Sequence, residues 1–160
     1  MTGFANLADG GMRLVAAVSE ATKALHDPLL LAIVPNGVAV AEPLADALGL
    51  PLAGAYLDRE GEPCVTGIPE VAGRDVIVVD DGVETGTAAR LVGAALRSAG
   101  AAHVVLAVPV CPHQAEAGLG PFYDEIVVLD RPLARRALRW HYADFDTIDE
   151  AEAKRRLDAR

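Results

Sequence analysis

The chain has 160 residues, a formal net charge of −9 and 52% hydrophobic residues, with aromatics at only 4%. That length suits one domain able to bury roughly two thirds of its unfolded surface, in a core built mainly from Ala, Val and Leu. So acidic a surface repels nucleic-acid backbones, so an anionic ligand has to be met locally, by backbone N–H groups, a metal or a few placed arginines. The two cysteines, Cys64 and Cys111, have no metal or redox spacing and are expected as free thiols in a reducing cytosol. Met1 to Asp9 lacks the pattern of a signal peptide. The longest apolar run, Pro28 to Pro35, is too short to span a bilayer. These features predict a soluble, cytoplasmic protein with neither a membrane nor a nucleic acid as partner.

The first helical pattern carries Leu14, Val15, Val18, Thr22 and Leu25. A strand follows at Leu29–Val34, then a turn at Pro35-Asn36-Gly37. Val38, Ala41, Ala45 and Leu48 mark a second helix that stops at Gly49, with Pro51 just beyond. Further strands are expected at Leu52–Leu57, Asp75–Val79, His103–Pro109 and Glu125–Asp130, and a helix from about Thr87 to Ala99. Asp58–Gly73 reads as a long connector rich in Gly, Pro and charge, and Cys111 to Tyr123 as an irregular segment. Thr147-Ile-Asp-Glu150 reads as a capping box that opens a short, charged last helix. The five strands are continuously apolar rather than alternating, as in parallel strands covered on both faces. The expected fold is α/β: one domain over residues 1–160, with an open, mainly parallel five-stranded sheet and helices on both faces.

The chemistry concentrates in Val76-Ile-Val-Val-Asp80-Asp81-Gly82-Val83-Glu84-Thr85-Gly86-Thr87-Ala-Ala-Arg90. A buried strand aims this loop at the carboxyl edge of the sheet, where open α/β folds bind ligands. Gly82 and Gly86 permit tight bends with N–H groups facing inward, and the helix start beyond them supplies unsatisfied donors and a positive dipole end. Thr85 and Thr87 add hydroxyls. The result is a cup for a phosphate that needs no lysine. Asp80 and Asp81 suit a different role, since they can accept hydrogen bonds from sugar hydroxyls and hold a hydrated Mg²⁺ indirectly. The loop is neither a Walker motif nor a dinucleotide fingerprint, because it has neither the required lysine nor G-x-G-x-x-G.

Val78-Val-Asp-Asp-Gly-Val-Glu-Thr-Gly-Thr87 resembles the phosphoribosyl-pyrophosphate (PRPP) signature of type I phosphoribosyltransferases. The resemblance extends weakly to both ends, through Phe4 to Leu14 and through Trp140-His-Tyr-Ala-Asp144-Phe145. It is similar in particular to a group of uncharacterised bacterial phosphoribosyltransferase-domain proteins. It implies a transferase that moves a 5-phosphoribosyl group between PRPP and a nitrogenous base with release of pyrophosphate, using Mg²⁺. Asp80 and Asp81 would hold the ribose, and Gly82, Val83, Glu84, Thr85, Gly86 and Thr87 its phosphate. Glu84 either serves as general acid or base toward the nucleobase or is an exposed loop charge.

The same resemblance makes Pro35-Asn36-Gly37-Val38 the pyrophosphate loop, although relatives carry Pro-Arg-Gly-Gly-Val there. The chain is one glycine shorter and has no arginine at that place, so an ordinary turn is the alternative. Arg59 is the candidate basic residue of a short lid, beside Cys64 as a passive thiol. Trp140, Tyr142 and Phe145 are read as packing residues or part of a small, reduced hood. Arg135, Arg136 and Arg139 are read as a solvated helix face or a dimer contact. His26, His103, His113 and His141 show no metal spacing. The resembled family also implies a homodimer. A non-catalytic sensor of PRPP or a nucleotide on the same fold is the competing reading, because a fold and a phosphate site do not establish chemistry.

Overall fold

A computed structural model describes residues 3–160. Helix α1 covers Leu7–Thr22, strand β1 Leu29–Ile33, helix α2 Asn36–Leu48 and strand β2 Leu52–Asp58. Strand β3 is Cys64–Thr66, β4 is Asp75–Val79, and helix α3 is Thr87–Ser98. Strand β5 (His103–Val110), helix α4 (His113–Leu119), strand β6 (Glu125–Asp130) and helix α5 (Glu150–Asp158) complete the chain. The strands form one sheet in the order β3-β2-β1-β4-β5-β6. All neighbours are parallel except β2 and β3.

Alternate residues of the central strands feed two separate cores. Leu30, Ala32, Ile77, Val79, Val105 and Ala107 pack with Leu14 and Val18 of α1, Val40 and Leu44 of α2 and Ala153 of α5. Leu29, Leu31, Ile33, Val76, Val78 and Leu106 pack with Val92 and Leu96 of α3 and with Leu119 of α4. Burial on both faces is why these strands read as unbroken apolar runs. Among the described residues, no helix is long and apolar enough to cross a membrane.

The α/β class, the parallel sheet and the helices on both faces agree with the sequence expectation. The sheet has six strands rather than five. The extra one, β3, is three residues of the 58–73 connector that fold back on β2, pairing Tyr56 with Thr66 and Asp58 with Cys64. Helix α4 lies within the segment expected to be irregular. The last helix is capped two residues later than expected: Asp149, not Thr147, accepts from the Glu152 N–H. Arg135, Arg136 and Arg139 do not form a helix face, since the chain after β6 has only a 3₁₀ turn, Leu138–His141, before α5.

One close approach sets the spacing of the first layer. Gly10 and Gly11 let α1 lie directly on its neighbours: a Cβ at Gly11 would collide with the Val40 carbonyl of α2 and approach Pro43 Cγ at 2.9 Å. The obstacle is backbone, which cannot rotate away, so the helices would have to separate. Gly11→Ala is therefore expected to cost about 2–3 kcal/mol despite alanine's better helix propensity. Urea unfolding checks this, and a midpoint equal to or above that of the native chain would contradict it.

Candidate functional site

Strand order places β1 and β4 side by side, while their following helices lead to opposite halves of the sheet. This is a topological switch point, where the loops diverge and leave a crevice beyond the carboxyl ends. A cleft of about 380 Å³ opens there, floored by Asp80–Ala89 and walled by Arg59 and Leu138.

The β4–α3 turn supplies the donors. Gly86 precedes the helix with φ of 88°, a conformation that favours glycine, and it has no side-chain cap to occupy the helix end. The N–H groups of Glu84, Thr85 and Gly86 meet no acceptor among the described residues. The Thr85 and Thr87 hydroxyls lie 3.1 Å apart, and both residues are exposed in the cleft. The Tyr123 hydroxyl donates to the Ala89 carbonyl at 2.6 Å and fixes the first turn of α3 from behind. The Val83 N–H is not available to a ligand: it donates to the Val110 carbonyl at 2.9 Å, and its side chain enters the core.

The two acids end the buried strand. Asp80 accepts the Asp81 N–H at 2.8 Å, and Asp81 accepts the Asn36 amide at 3.2 Å. Burial, and then the charge of Asp81, push the Asp80 carboxyl well above the usual carboxylate range. Burial also raises Asp81, against the opposing hydrogen bonds from Asp80 and Asn36. The backbone of Asp81 is held as well, because the Tyr142 hydroxyl donates to its carbonyl at 2.5 Å.

Leu138, which carried no signal in the sequence, closes the other side. Its side chain lies on Gly82, where a Cβ would come within 2.5 Å of Leu138 Cδ2. Its N–H donates to Glu84 Oε1 at 2.9 Å. Glu84 is exposed in the cleft, and one of its carboxylate oxygens holds the segment after β6. Arg59 reaches the cleft from the connector and forms no ion pair among the described residues.

The Pro35–Val38 segment is different from an open loop. Pro35 is the N-cap of α2, and Asn36, Gly37 and Val38 already lie in its first turn. Tyr142 is buried and stacks between Phe4 and Phe145, with ring centroids 5.6 and 5.4 Å away. Trp140 departs from the packing role expected of it and is 69% exposed. Cys64 is exposed and Cys111 buried, both as free thiols. Among the described residues, no group of three or more His, Cys, Asp or Glu side chains converges as a metal site.

Fold and site together define an α/β protein with a cleft at the switch point, floored by open N–H groups, two hydroxyls and an acid pair. Residues 4–130 match the phosphoribosyl transferase domain family, and the chain belongs to that family. A Mycobacterium tuberculosis H37Rv protein provisionally named a phosphoribosyl transferase is 35% identical over 88 residues. That match covers 55% of this chain but 20% of the relative, so the chain accounts for a minor part of the relative's length. The crystal structure of TT1426 from Thermus thermophilus superposes with a TM-score of 0.85 at 22% identity, covering 97% of both chains. A purine phosphoribosyltransferase from Pyrococcus horikoshii Ot3 superposes at 0.59 with 17% identity, over 83% of this chain and 95% of that one. At such identities the two structures support the fold.

The acid pair has a measurable cost. A carboxyl raised above its ordinary value of 3.8 holds its proton longer in the folded state. Stability therefore falls as pH rises from about 4 through the folded pKa. Asp80→Asn removes the charge while keeping an acceptor for the Asp81 N–H. It is expected to stabilise the chain at pH 7 by on the order of 1 kcal/mol. The gain should shrink as pH falls through about 4, where Asp80 becomes protonated in the unfolded state as well. Thermal melts at pH 7 and pH 3.5 check this, and a variant less stable at pH 7 would contradict it.

Proposed function

We propose that the cleft over Asp80–Thr87 binds a 5-phosphoribosyl group and that the chain transfers this group between PRPP and a nitrogenous base. The observation that carries the reading is the division of one turn between two chemistries. Free N–H groups and two hydroxyls lie at Glu84–Thr87, and two carboxyls, one buried and one half-buried, lie one step away at the end of β4. Phosphate needs the first set, and ribose hydroxyls need the second.

In this reading the 5-phosphate docks on the start of α3. Asp80 and Asp81 accept hydrogen bonds from the ribose and hold a hydrated Mg²⁺ that arrives with PRPP and offsets pyrophosphate charge. Arg59 closes the cleft from the connector, and Leu138 with the segment after β6 excludes water from the ribose. Glu84 is the proposed general acid or base toward the nucleobase. Its Oε1 holds Leu138, which leaves Oε2 for a proton. A homodimer belongs to the same proposal and is read by light scattering.

A second reading, binding without transfer, has one specific observation in its favour. One Asn36 amide N–H and its carbonyl oxygen are engaged within the protein, and the β1–α2 turn offers pyrophosphate no cationic side chain. Binding of PRPP by calorimetry, followed by a search for pyrophosphate release across a panel of purines and pyrimidines, separates the two. Release supports transfer, and binding without release supports the sensor.

Two variants test the roles. Thr85→Ala combined with Thr87→Ala is expected to weaken ribose 5-phosphate binding by about tenfold or more, the equivalent of one to two hydrogen bonds to a charged group. Unchanged affinity would remove the phosphate from this turn. Glu84→Gln keeps an acceptor for the Leu138 N–H but cannot exchange a proton. Loss of about a hundredfold in kcat with little change in KM is expected of an acid–base group. A change in KM alone would reduce Glu84 to a tether.

A further inference from the structure

The two halves of the cleft floor are supported by different parts of the chain. The phosphate half is built from its own neighbourhood: Gly86 turns the chain into α3, and the Tyr123 hydroxyl holds the first turn through the Ala89 carbonyl at 2.6 Å. The acid half is not. The Asp81 N–H donates to Asp80 Oδ1 at 2.8 Å, its carbonyl accepts the Tyr142 hydroxyl at 2.5 Å, and its Oδ2 accepts the Asn36 amide at 3.2 Å. Backbone and side chain of this one residue are therefore both fixed from outside its turn, and both holds trace back to residues 142–148, beyond the last strand.

The trace through Asn36 follows from hydrogen-bond polarity. The Ile148 N–H can only donate, so the Asn36 amide oxygen faces it, at 3.0 Å, and the amide nitrogen is turned toward Asp81. This use of the side chain leaves the backbone at the start of α2 open, since the Asn36 and Gly37 N–H groups meet no acceptor among the described residues.

Tyr142 is anchored independently of its hydroxyl. Its ring lies between Phe4 and Phe145, and the chain around it is zipped to the N-terminal segment. The Phe4 N–H donates to the His141 carbonyl at 2.8 Å, and the Ala143 and Asp144 N–H groups donate to the Phe4 and Ala5 carbonyls at 2.7 and 2.9 Å. Packing alone would be served by a phenylalanine. The hydroxyl is the part that reaches a residue of the cleft.

We propose that Tyr142 and Asn36 are positioning residues for Asp81, and that through them residues 142–148 set the recognition of ribose hydroxyls while leaving the phosphate cup unaffected. The inference rests on reading Asp80–Thr87 as the ribose 5-phosphate site. Asp80 takes its hydrogen bond from within the turn, so of the two acids Asp81 is the fixed acceptor against which a sugar is aligned. Without the Tyr142 bond the Asp81 peptide can rotate, and without the Asn36 bond its carboxylate can. Either motion misplaces an acceptor without touching Glu84–Thr87.

Tyr142→Phe tests this by removing one oxygen and keeping the ring. Amide NMR titrations of the full chain would compare ribose 5-phosphate with inorganic phosphate, which probes the cup alone. The native chain is expected to bind ribose 5-phosphate at least about tenfold more tightly than phosphate. In Tyr142→Phe, ribose 5-phosphate should weaken by about tenfold, with phosphate unchanged within about twofold. Asn36→Ala should show the same split. A folded Tyr142→Phe chain that keeps the native preference for ribose 5-phosphate overturns the proposal. So does an equal loss for both ligands, which is what a general loosening of the fold produces.

The native chain gives a readout that does not depend on a variant folding. Ribose 5-phosphate should shift the Ile148 amide proton, which reports on the Asn36 amide. Inorganic phosphate should shift the amides of Glu84–Gly86 and leave Ile148 in place. An Ile148 amide that ignores ribose 5-phosphate, or follows phosphate equally, overturns the proposal. A native chain that binds both ligands equally is a different result, and it removes the reading of the acids as ribose acceptors on which the proposal stands.

Discussion

Two carboxyl groups end a fully buried strand, and much of the structure answers to that fact. Asp80 and Asp81 are adjacent in sequence at the floor of the cleft, and each is pushed toward its protonated form. Like charges in a low-dielectric setting repel strongly unless donors converge on them. One donor to this pair comes from far along the chain, and a second fixes the backbone beside it. Asn36 reaches Asp81 from α2, and Tyr142 ties down the Asp81 carbonyl from the segment after β6. Gly10 has no side chain where a Cβ would stand 3.4 Å from the Tyr142 hydroxyl. The turn that carries the acid pair is thus met by α2 and by the C-terminal segment, with α1 close behind Tyr142.

The opposite end of β4 shows the contrast. Asp75 is also buried, and burial raises its pKa. The His26 N–H at 2.6 Å and the His103 ring at 3.0 Å more than offset this, so its carboxyl falls below the usual range. One strand therefore begins with an acid whose partners favour its ionised form and ends beside two whose surroundings favour the neutral form. Perturbed carboxyls of that second kind, lining a cleft, are candidates for a functional site. The polarity of β4, stable at one end and costly at the other, follows the general placement of ligands at the carboxyl edge.

The parts of this arrangement visible in sequence were the local ones. The bounds of β4 and β6 follow from apolar runs that stop at charges, and the acids, glycines and threonines of the loop are contiguous. The start of α3 is set by Gly86, a residue that announces its own backbone. What escaped reading depends on partners distant in sequence. Leu138 gains its place from Glu84, 54 residues away, and Asn36 from Ile148, 112 residues away. Strand β3 is a three-residue edge whose pairing is decided by β2, not by its own pattern. Asn36 was legible as a missing arginine, but its positive role, a clamp between two loops, needs three elements to be assembled first.

Glu84 shows how this assembly bears on the proposed chemistry. Its side chain extends from the phosphate-cup turn and holds the backbone of Leu138, whose side chain in turn covers Gly82. A single carboxylate therefore links the turn proposed to bind phosphate to the segment that walls the cleft. If a ligand moves the turn, it moves the wall, and a proton taken up by Glu84 weakens the acceptor on which the wall depends. In the proposed reaction, closure over the ribose and proton transfer at the base would then not be separable functions of separate residues. They compete for the two oxygens of one side chain, and the geometry assigns the first oxygen to the wall.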